Sequence, residues 1–329
     1  MIFLSSLGRY VAKKVFSRFV VFMVIVTVTF LVPRLMPGGA FAYLIENPNI
    51  SPEFRQALIK QFGLDRPLLE QYILFLREFF INGNLGISFY YRKPVMSVIM
   101  EALPWTILLI TGSAIVSALL GILVGLTAAS KRATPLDRAL FNASMFFRSM
   151  PAFWLALVLL IVFGYQLGFF PLYGAYTYGR TYSSFLEYAI DVAHHLFLPF
   201  LTLTILDTSV YLVLSRNLAI DVLTEDFIVT ARAKGIPERM VLYRHALRPI
   251  LTPLLTMIAI DLGYSLGGAL MIEVVFSLPG VGKLMYDAVL MTDYPTLLGI
   301  VVMTSAVTLI LVTIVEVLAA VVDPRVRLT

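Results

Sequence analysis

Apolar residues gather in six long stretches, at about 15–33, 103–129, 140–166, 194–215, 250–272 and 296–321. Each approaches or exceeds the roughly 20 residues that a helix needs to cross the hydrocarbon core of a bilayer. The third is the weakest, because Arg148 and Pro151 interrupt it. Pro199 and Pro253 stand near the starts of the fourth and fifth, where a kink or a cap is tolerated. The pattern predicts an all-α polytopic membrane protein of six transmembrane helices, with both termini on one side. The first stretch is long for a signal peptide and no small-residue cleavage site follows at once, so it reads as a retained anchor.

Charge orients the spans. On one side fall Arg9, Lys13, Lys14 and Arg18, then Lys131, Arg132, Arg138 and Arg148, then the loop after the fourth span, then Arg325 and Arg327. That side holds 16 of the 25 basic residues, whereas the two short connections opposite hold only Arg180 and Lys283. By the positive-inside rule the basic side and both termini are cytoplasmic, in a plasma membrane. The division expected is 1–102, an N-terminal transmembrane helix with an extracellular cap segment, and 103–329, a five-helix core with a cytoplasmic loop at 216–249. Composition agrees: 59% of residues are hydrophobic and 14% charged, against roughly 25% charged in an average soluble domain. The net charge of +5 flanks the spans instead of forming a nucleic-acid surface, and the absence of cysteine excludes disulfides and thiol chemistry.

The outer connections are ordered by their signals. Ser51-Pro52-Glu53 starts a helix running to about Phe62, and Leu68 to Phe80 reads as a second, amphipathic helix before the turn Asn82-Gly83-Asn84. The connection 171–191 carries Tyr173, Tyr176, Tyr178, Tyr182 and Tyr188, which fit an interfacial aromatic belt or a surface gripping a substrate or partner. Gly280-Val281-Gly282-Lys283 tempts a phosphate-loop reading. The spacing fails, since Leu284 follows the lysine and no glycine stands five before Gly282. His194 and His195 lack a carboxylate or thiol at ligand spacing and read as interface residues.

Three acids, Asp207, Asp261 and Glu316, fall inside spans. A charge there is costly, so each should face the bundle interior, a partner subunit or water. Two readings stand: they line a translocation path, or they are buried structural acids.

The most informative polar stretch is Thr224–Pro249. Thr224 reads as a helix N-cap with Glu225 and Asp226 in the first turn. Arg232 and Lys234 fall in the last turn, and Gly235 stands where a left-handed residue ends a helix. Pro237 and Glu238 start a second helix that Pro249 closes. Arg232, Lys234, Arg239, Arg244 and Arg248 can pair with acids of a partner, beside an apolar stripe of Met240, Tyr243 and Leu247. An amphipathic helix lying on anionic lipid is the alternative, though it does not require a glycine hinge. The chain carries no Walker loop, no zinc-protease motif and no supported Ser–His–Asp arrangement. It therefore has no energy source of its own.

Thr230-Ala231-Arg232-Ala233-Lys234-Gly235 followed by Arg244-His245-Ala246-Leu247-Arg248 closely resembles the cytoplasmic signature loop of ABC-importer permeases, and most closely that of the dipeptide/oligopeptide (peptide/nickel) group. Against the general importer form, Ala231, Gly235 and Leu247 match, while Val229, Thr230, His245 and Arg248 depart in ways usual for the peptide group. Leu35-Met36-Pro37-Gly38, Gly63-Leu64-Asp65-Arg66-Pro67, Gly83-Asn84-Leu85-Gly86, Ser277-Leu278-Pro279-Gly280-Val281-Gly282 and Asp323-Pro324-Arg325-Val326-Arg327 extend the resemblance over essentially the whole chain. Gly38-Gly39 departs where relatives often carry Gly-Asp-Pro.

The resemblance implies a type I ABC importer permease fold and a subunit of a binding-protein-dependent peptide importer. It implies no cofactor in this chain, ATP and magnesium being bound by partners. Those partners are a second, homologous permease, two cytoplasmic ATPases and an extracellular solute-binding protein. It also assigns ATPase coupling to Thr230, Ala231, Arg232, Ala233, Lys234, Gly235, Glu238, Arg239, Tyr243, Arg244, His245 and Leu247. Relatives carry oligosaccharides or nickel chelates on the same architecture. The reading from another class is an ion-gradient-driven carrier using Asp207, Asp261 and Glu316. An intramembrane hydrolase would need a catalytic pair that the spans lack.

Overall fold

A computed structural model describes residues 2–35, 65–265 and 269–322, with a few positions between 51 and 63. Its described residues are helical except for loops and one isolated bridge, Ile87 to Pro94. In chain order the helices are α1 (Ile2–Leu35), α2 (Leu68–Asn82), α3 (Val95–Ser130), α4 (Pro135–Arg148), α5 (Ala152–Leu159), α6 (Phe185–Val222), α7 (Asp226–Ala233), α8 (Leu247–Ser265), α9 (Leu270–Val275), α10 (Val281–Leu290) and α11 (Tyr294–Val322). Gly8–Leu35 of α1, all of α3 and α6, and Tyr294–Ile314 of α11 are long and apolar enough to cross a bilayer. The chain is a polytopic membrane protein.

The third apolar stretch does not form the straight span that 140–166 suggested. α4 and the segment Ala152–Gln166, whose last turns Leu160–Gln166 widen into π-helix, meet at 99°. Pro151 has no amide hydrogen to donate and disfavours helical backbone in the residue before it, so the direction changes there. α4 is amphipathic, starting on the Thr134 hydroxyl, which accepts from the Asp137 amide. The fifth stretch, 250–272, is helical in two pieces, α8 and α9, with 266–268 outside the described residues.

The centre of the bundle is the pair α3–α6. In lipid, apolar side chains gain little by leaving one apolar medium for another, so helix pairs depend on close packing and interhelical hydrogen bonds. Gly121 and Gly125, four residues apart on α3, supply the approach. A Cβ at Gly121 would stand 2.5 Å from Tyr211 Cβ and 2.9 Å from the Leu212 amide nitrogen, and one at Gly125 would stand 2.6 Å from the Leu212 carbonyl oxygen. Ser215, fully buried on α6, donates to the Gly121 carbonyl at 3.0 Å. Leu109, Leu155, Leu198, Ile272 and Phe276 fill one end of this pair, and Leu126, Ala129, Ala219, Ile250 and Leu254 the other.

α1 packs on α11. The Arg18 guanidinium holds Glu316 at 2.7 Å and Lys14 stands 3.4 Å from its other oxygen. α2 folds back along α1 as the expected amphipathic helix: Phe30 meets Tyr72 and Phe75, Phe22 meets Phe79, and the Thr27 and Tyr72 hydroxyls share a 2.6 Å hydrogen bond. It ends at Gly83 with φ +60°, confirming the turn read at Asn82-Gly83-Asn84. In the stretch 51–62 the described positions Pro52, Glu53, Gln56, Ile59 and Lys60 are helical, and the rest of that expected helix lies outside the described residues.

Because both glycines meet backbone, Gly125→Val is expected to push α3 and α6 apart and cost about 2 kcal/mol or more. Ser215→Ala should cost only about 0.6 kcal/mol. Thermal unfolding of the purified chain in mild detergent measures both.

Candidate functional site

The polar loop forms a compact unit at the end of α6. α6 continues to Val222, well past the apolar stretch, and this displaces the expected cap. Thr224 sits in the turn, its hydroxyl donating to the Asp221 carbonyl at 2.7 Å, and Glu225 occupies the N-cap position of α7. The other end of α7 is as expected. The Ile236 amide reaches back to the Ala231 carbonyl at 3.3 Å and the Gly235 amide to the Arg232 carbonyl at 2.9 Å, with Gly235 at φ +75°. This pairing of bonds closes a helix on a left-handed residue, and it favours glycine because a Cβ crowds the backbone there.

The second helix does not stop at Pro249. Glu238–Met240 leads through π-helical turns at Val241–Ala246 straight into α8, so Pro249 lies inside a continuous helical run, two residues after α8 begins. A proline in a regular helix loses one hydrogen bond and clashes with the carbonyl four residues before it, here that of His245. The wider π turns just ahead put that carbonyl in a different register.

The loop has its own small core of Ile228, Ala231, Val241 and Ala246, with Val222, Leu223 and Ile236 against it. Ala231 is therefore an interior residue. Phe227, Val229, Met240 and Tyr243 are exposed, and so are Thr230, Ala233, Lys234, Arg239, Arg244 and Arg248. Leu247, expected on that apolar stripe, instead packs into the bundle with Leu126, Ala219 and Ile250. His245 is half-buried. Arg232 is engaged within the loop, its guanidinium gripping Glu238 at 2.7 and 3.1 Å across the Gly235 turn. Beside the loop, Arg216 clamps the buried Asp137 carboxylate at 2.6 and 2.8 Å, tying the start of α4 to the end of α6. Sequence reasoning took Arg216 only as an orienting charge, and no motif marks Asp137.

The intramembrane acids separate into two places. Asp207 on α6 and Asp261 on α8 line one cavity of 470 Å³ together with Tyr211, Ser113 and apolar residues of α3, α5 and α6. Glu316 lies instead in the α1–α11 contact with Lys14 and Arg18.

Two further acids, not singled out from sequence, hold the glycine motifs. Glu273 on α9 is 1% exposed. It accepts from the Thr106 hydroxyl at 2.7 Å and from the Lys283 amide at 2.9 Å, while the Val281 amide donates to the same Thr106 hydroxyl at 2.8 Å. Gly280-Val281-Gly282 thus starts α10 on a carboxylate of the chain itself, in the place where a phosphate loop would hold its anion. Asp293, equally buried, accepts from the Ser88 hydroxyl, from the Phe89 amide at 3.0 Å and from the Thr296 hydroxyl at 2.8 Å, and so anchors the loop after Gly83-Asn84-Leu85-Gly86 to α11. Among the tyrosines, Tyr173 and Tyr178 are exposed. Tyr182 donates to the buried Asp191 at 2.8 Å and packs on Tyr188, and Tyr176 stacks on Trp105. The His195 ring meets the Asp191 carbonyl and the His194 ring the Phe169 carbonyl. Among the described residues no group of three or more potential ligands could hold a metal ion.

The Arg232 fork holds the Glu238 carboxyl below the usual carboxylate range. The stabilisation it brings is complete above the ordinary value of 4.5 and is lost as pH falls through the lowered folded value. Both groups are half-exposed, so Glu238→Gln should cost only about 0.5 kcal/mol at neutral pH. The expected readout is about twofold faster amide hydrogen exchange at Lys234–Ile236, a difference that shrinks as the medium is acidified.

Comparison with known proteins places these features in a family. Residues 121–328 match the family described as binding-protein-dependent transport system inner membrane component, and residues 7–110 match its N-terminal counterpart. The chain is 32% identical over 321 residues to the dipeptide transport system permease protein DppB of Lactococcus lactis subsp. cremoris, covering 97% of this chain and 99% of that protein. It is 30% identical over 322 residues to the oligopeptide transport system permease protein AppB of Bacillus subtilis, covering 98% of this chain and all of that protein. It is also 33% identical over 319 residues to the glutathione transport system permease protein GsiC of Salmonella typhimurium, covering 97% and 99% of the two chains. A bundle of apolar helices and an ordered polar loop closed on Gly235 are thus joined to full-length similarity, and the chain belongs to the family of inner membrane components of binding-protein-dependent transport systems.

Proposed function

We propose that the chain is one of two permease subunits of an ABC importer for peptides, and that the loop 224–249 couples it to cytoplasmic ATPases. The observation that carries this reading is the exposed face of the loop. Phe227, Val229, Met240 and Tyr243 lie beside Lys234, Arg239, Arg244 and Arg248 on a unit held rigid by its own core. Apolar anchors beside cationic groups suit a groove with an acidic rim. A rigid loop continuous with α8 transmits a displacement of its partner into the bundle as a movement of α8. In this assignment Thr230, Ala233, Lys234, Arg239, Tyr243 and Arg244 face the ATPase. Ala231, Arg232, Gly235, Glu238, His245 and Leu247 shape the loop that presents them. Relatives named for dipeptide, oligopeptide and glutathione transport support a peptide as cargo.

The same reading makes the loop and both termini cytoplasmic, counts α8 with the bent α4–α5 pair to reach six spans, and gives the cavity of Asp207 and Asp261 to the translocation path. ATP and magnesium would be bound by the ATPases, and cargo would arrive from an extracellular binding protein.

Mild-detergent purification of the tagged chain from its native membrane, with mass spectrometry of what accompanies it, tests the assembly. A second permease, Walker-motif ATPases and a solute-binding protein are expected. A chain recovered alone and still competent in gradient-driven uptake would support the carrier reading instead. A Cβ at Gly235 would meet no atom within 4 Å beyond its own chain neighbours. Gly235→Asp therefore disturbs little within the chain beyond its left-handed backbone, and places a negative charge on the docking face. It is expected to abolish uptake and lose the ATPases while the chain stays in the membrane.

The chain has no cysteine, so single introduced cysteines report topology. Lys234→Cys in intact cells should resist an impermeant maleimide that labels Tyr178→Cys. The reverse pattern would invert the assigned orientation.

A further inference from the structure

The cavity between α3, α5, α6, α8 and α9 combines room with unbalanced charge. Its 470 Å³ falls within the range of small-ligand sites, enough for part of a short peptide. Ile110, Ala114, Leu203, Val210 and Met257 make its walls apolar, and Asp207 and Asp261 supply its charge from two different helices. Among the described residues that line it, none is basic. This contrasts with Asp137, Glu316 and Asp191, which have Arg216, Arg18 with Lys14, and Arg180 with His195 as neighbours, and with Glu273 and Asp293, which are filled by hydroxyl and amide donors.

Tyr211, 1% exposed, stands on the cavity wall together with the two acids. Carboxylates without a cationic neighbour are costly at such a position, and a cation that supplies donors relieves that cost. A primary ammonium group brings one positive charge and three donors, enough to bridge two carboxylates and a phenol.

We propose that this cavity is a cation-recognition site that receives the free α-ammonium group of the peptide in transit. The proposal rests on the peptide-importer reading and deepens it. Asp207 and Asp261 bind the ammonium as a pair, Tyr211 offers its phenol from the same wall, and the apolar walls take the side chains without selecting among them. Because the site lies between α6 and α8, a movement of α8 driven from the loop changes the distance between the two acids. Binding and release are then tied to the position of the loop.

The test uses the complete importer, purified with its partner subunits and reconstituted in vesicles, with trialanine as the probe and N-acetyl-trialanine as the uncharged control. Wild type, Asp207→Asn, Asp261→Asn and Asp261→Glu are compared for ATP-driven uptake, ATP hydrolysis and subunit composition. The expected result is that each asparagine variant keeps its subunits and its ATP hydrolysis but takes up trialanine at least about tenfold more slowly, as for a lost charge-assisted contact. Asp261→Glu should recover most of the uptake, and any uptake of the acetylated peptide should be the same in all four. Asparagine variants that take up trialanine like wild type would overturn the site and leave the importer reading standing. Loss of subunits or of ATP hydrolysis together with uptake would show a structural role and also overturn it. A wild-type importer that moves neither peptide would overturn the peptide reading and the site with it.

Discussion

The structure depends on one backbone-to-backbone approach. Gly121 and Gly125 remove the side chains that would hold α3 away from α6, and Ser215 adds a hydrogen bond across the gap. In lipid this kind of contact counts for more than apolar burial, since the bilayer solvates an isolated apolar helix well. With the two long helices fixed at that point, α5 and α9 pack at one end and α8 at the other. The cavity of Asp207 and Asp261 is the space left between these layers. The same residue that meets Gly121, Tyr211, also lines the cavity, so the helix contact and the site share a wall.

Charge is handled in three ways. Where it holds segments together it is paired or saturated, as in Arg216 with Asp137, Arg18 with Glu316, and the Glu273 and Asp293 carboxylates filled by hydroxyl and amide donors. Breaking such a group would leave a buried charge uncompensated. On the polar loop most of it is exposed, and the one internal pair, Arg232 with Glu238, braces the turn. In the cavity two acids share a wall on which no described residue is basic. That difference separates structural acids from those suited to meet a cargo, a division that hydropathy cannot make because Asp207, Asp261 and Glu316 look equally costly in sequence.

The loop illustrates how local signals are overruled by their surroundings. Gly235 behaves as its sequence position indicates, because the left-handed turn it makes is a local property of the chain. Thr224 does not, since α6 extends further than its apolar residues require and the helix start moves to Glu225. Pro249 does not end its helix, since π turns upstream relieve the clash that would have done so. Leu247 faces the bundle and not the loop's exposed stripe, because the unbroken helix into α8 carries it toward Leu126 and Ile250.

What the sequence alone determined is what depends on composition and short-range chemistry: apolar spans set by bilayer thickness, a glycine-closed loop, the family likeness carried by Thr230–Gly235 and Arg244–Arg248, and the turns at Gly83 and Gly235. What only the tertiary structure decided depends on which helices touch. It brought Asp207 and Asp261, 54 positions apart in the numbering, to one cavity, and sent Glu316 to α1. It showed that Glu273 occupies the helix start that resembles a phosphate site. It also bent the third span at Pro151. The physical reason is the same in each case: periodicity and capping act over a few residues, whereas pairing of buried charge and close helix packing join residues whose separation along the chain carries no signal.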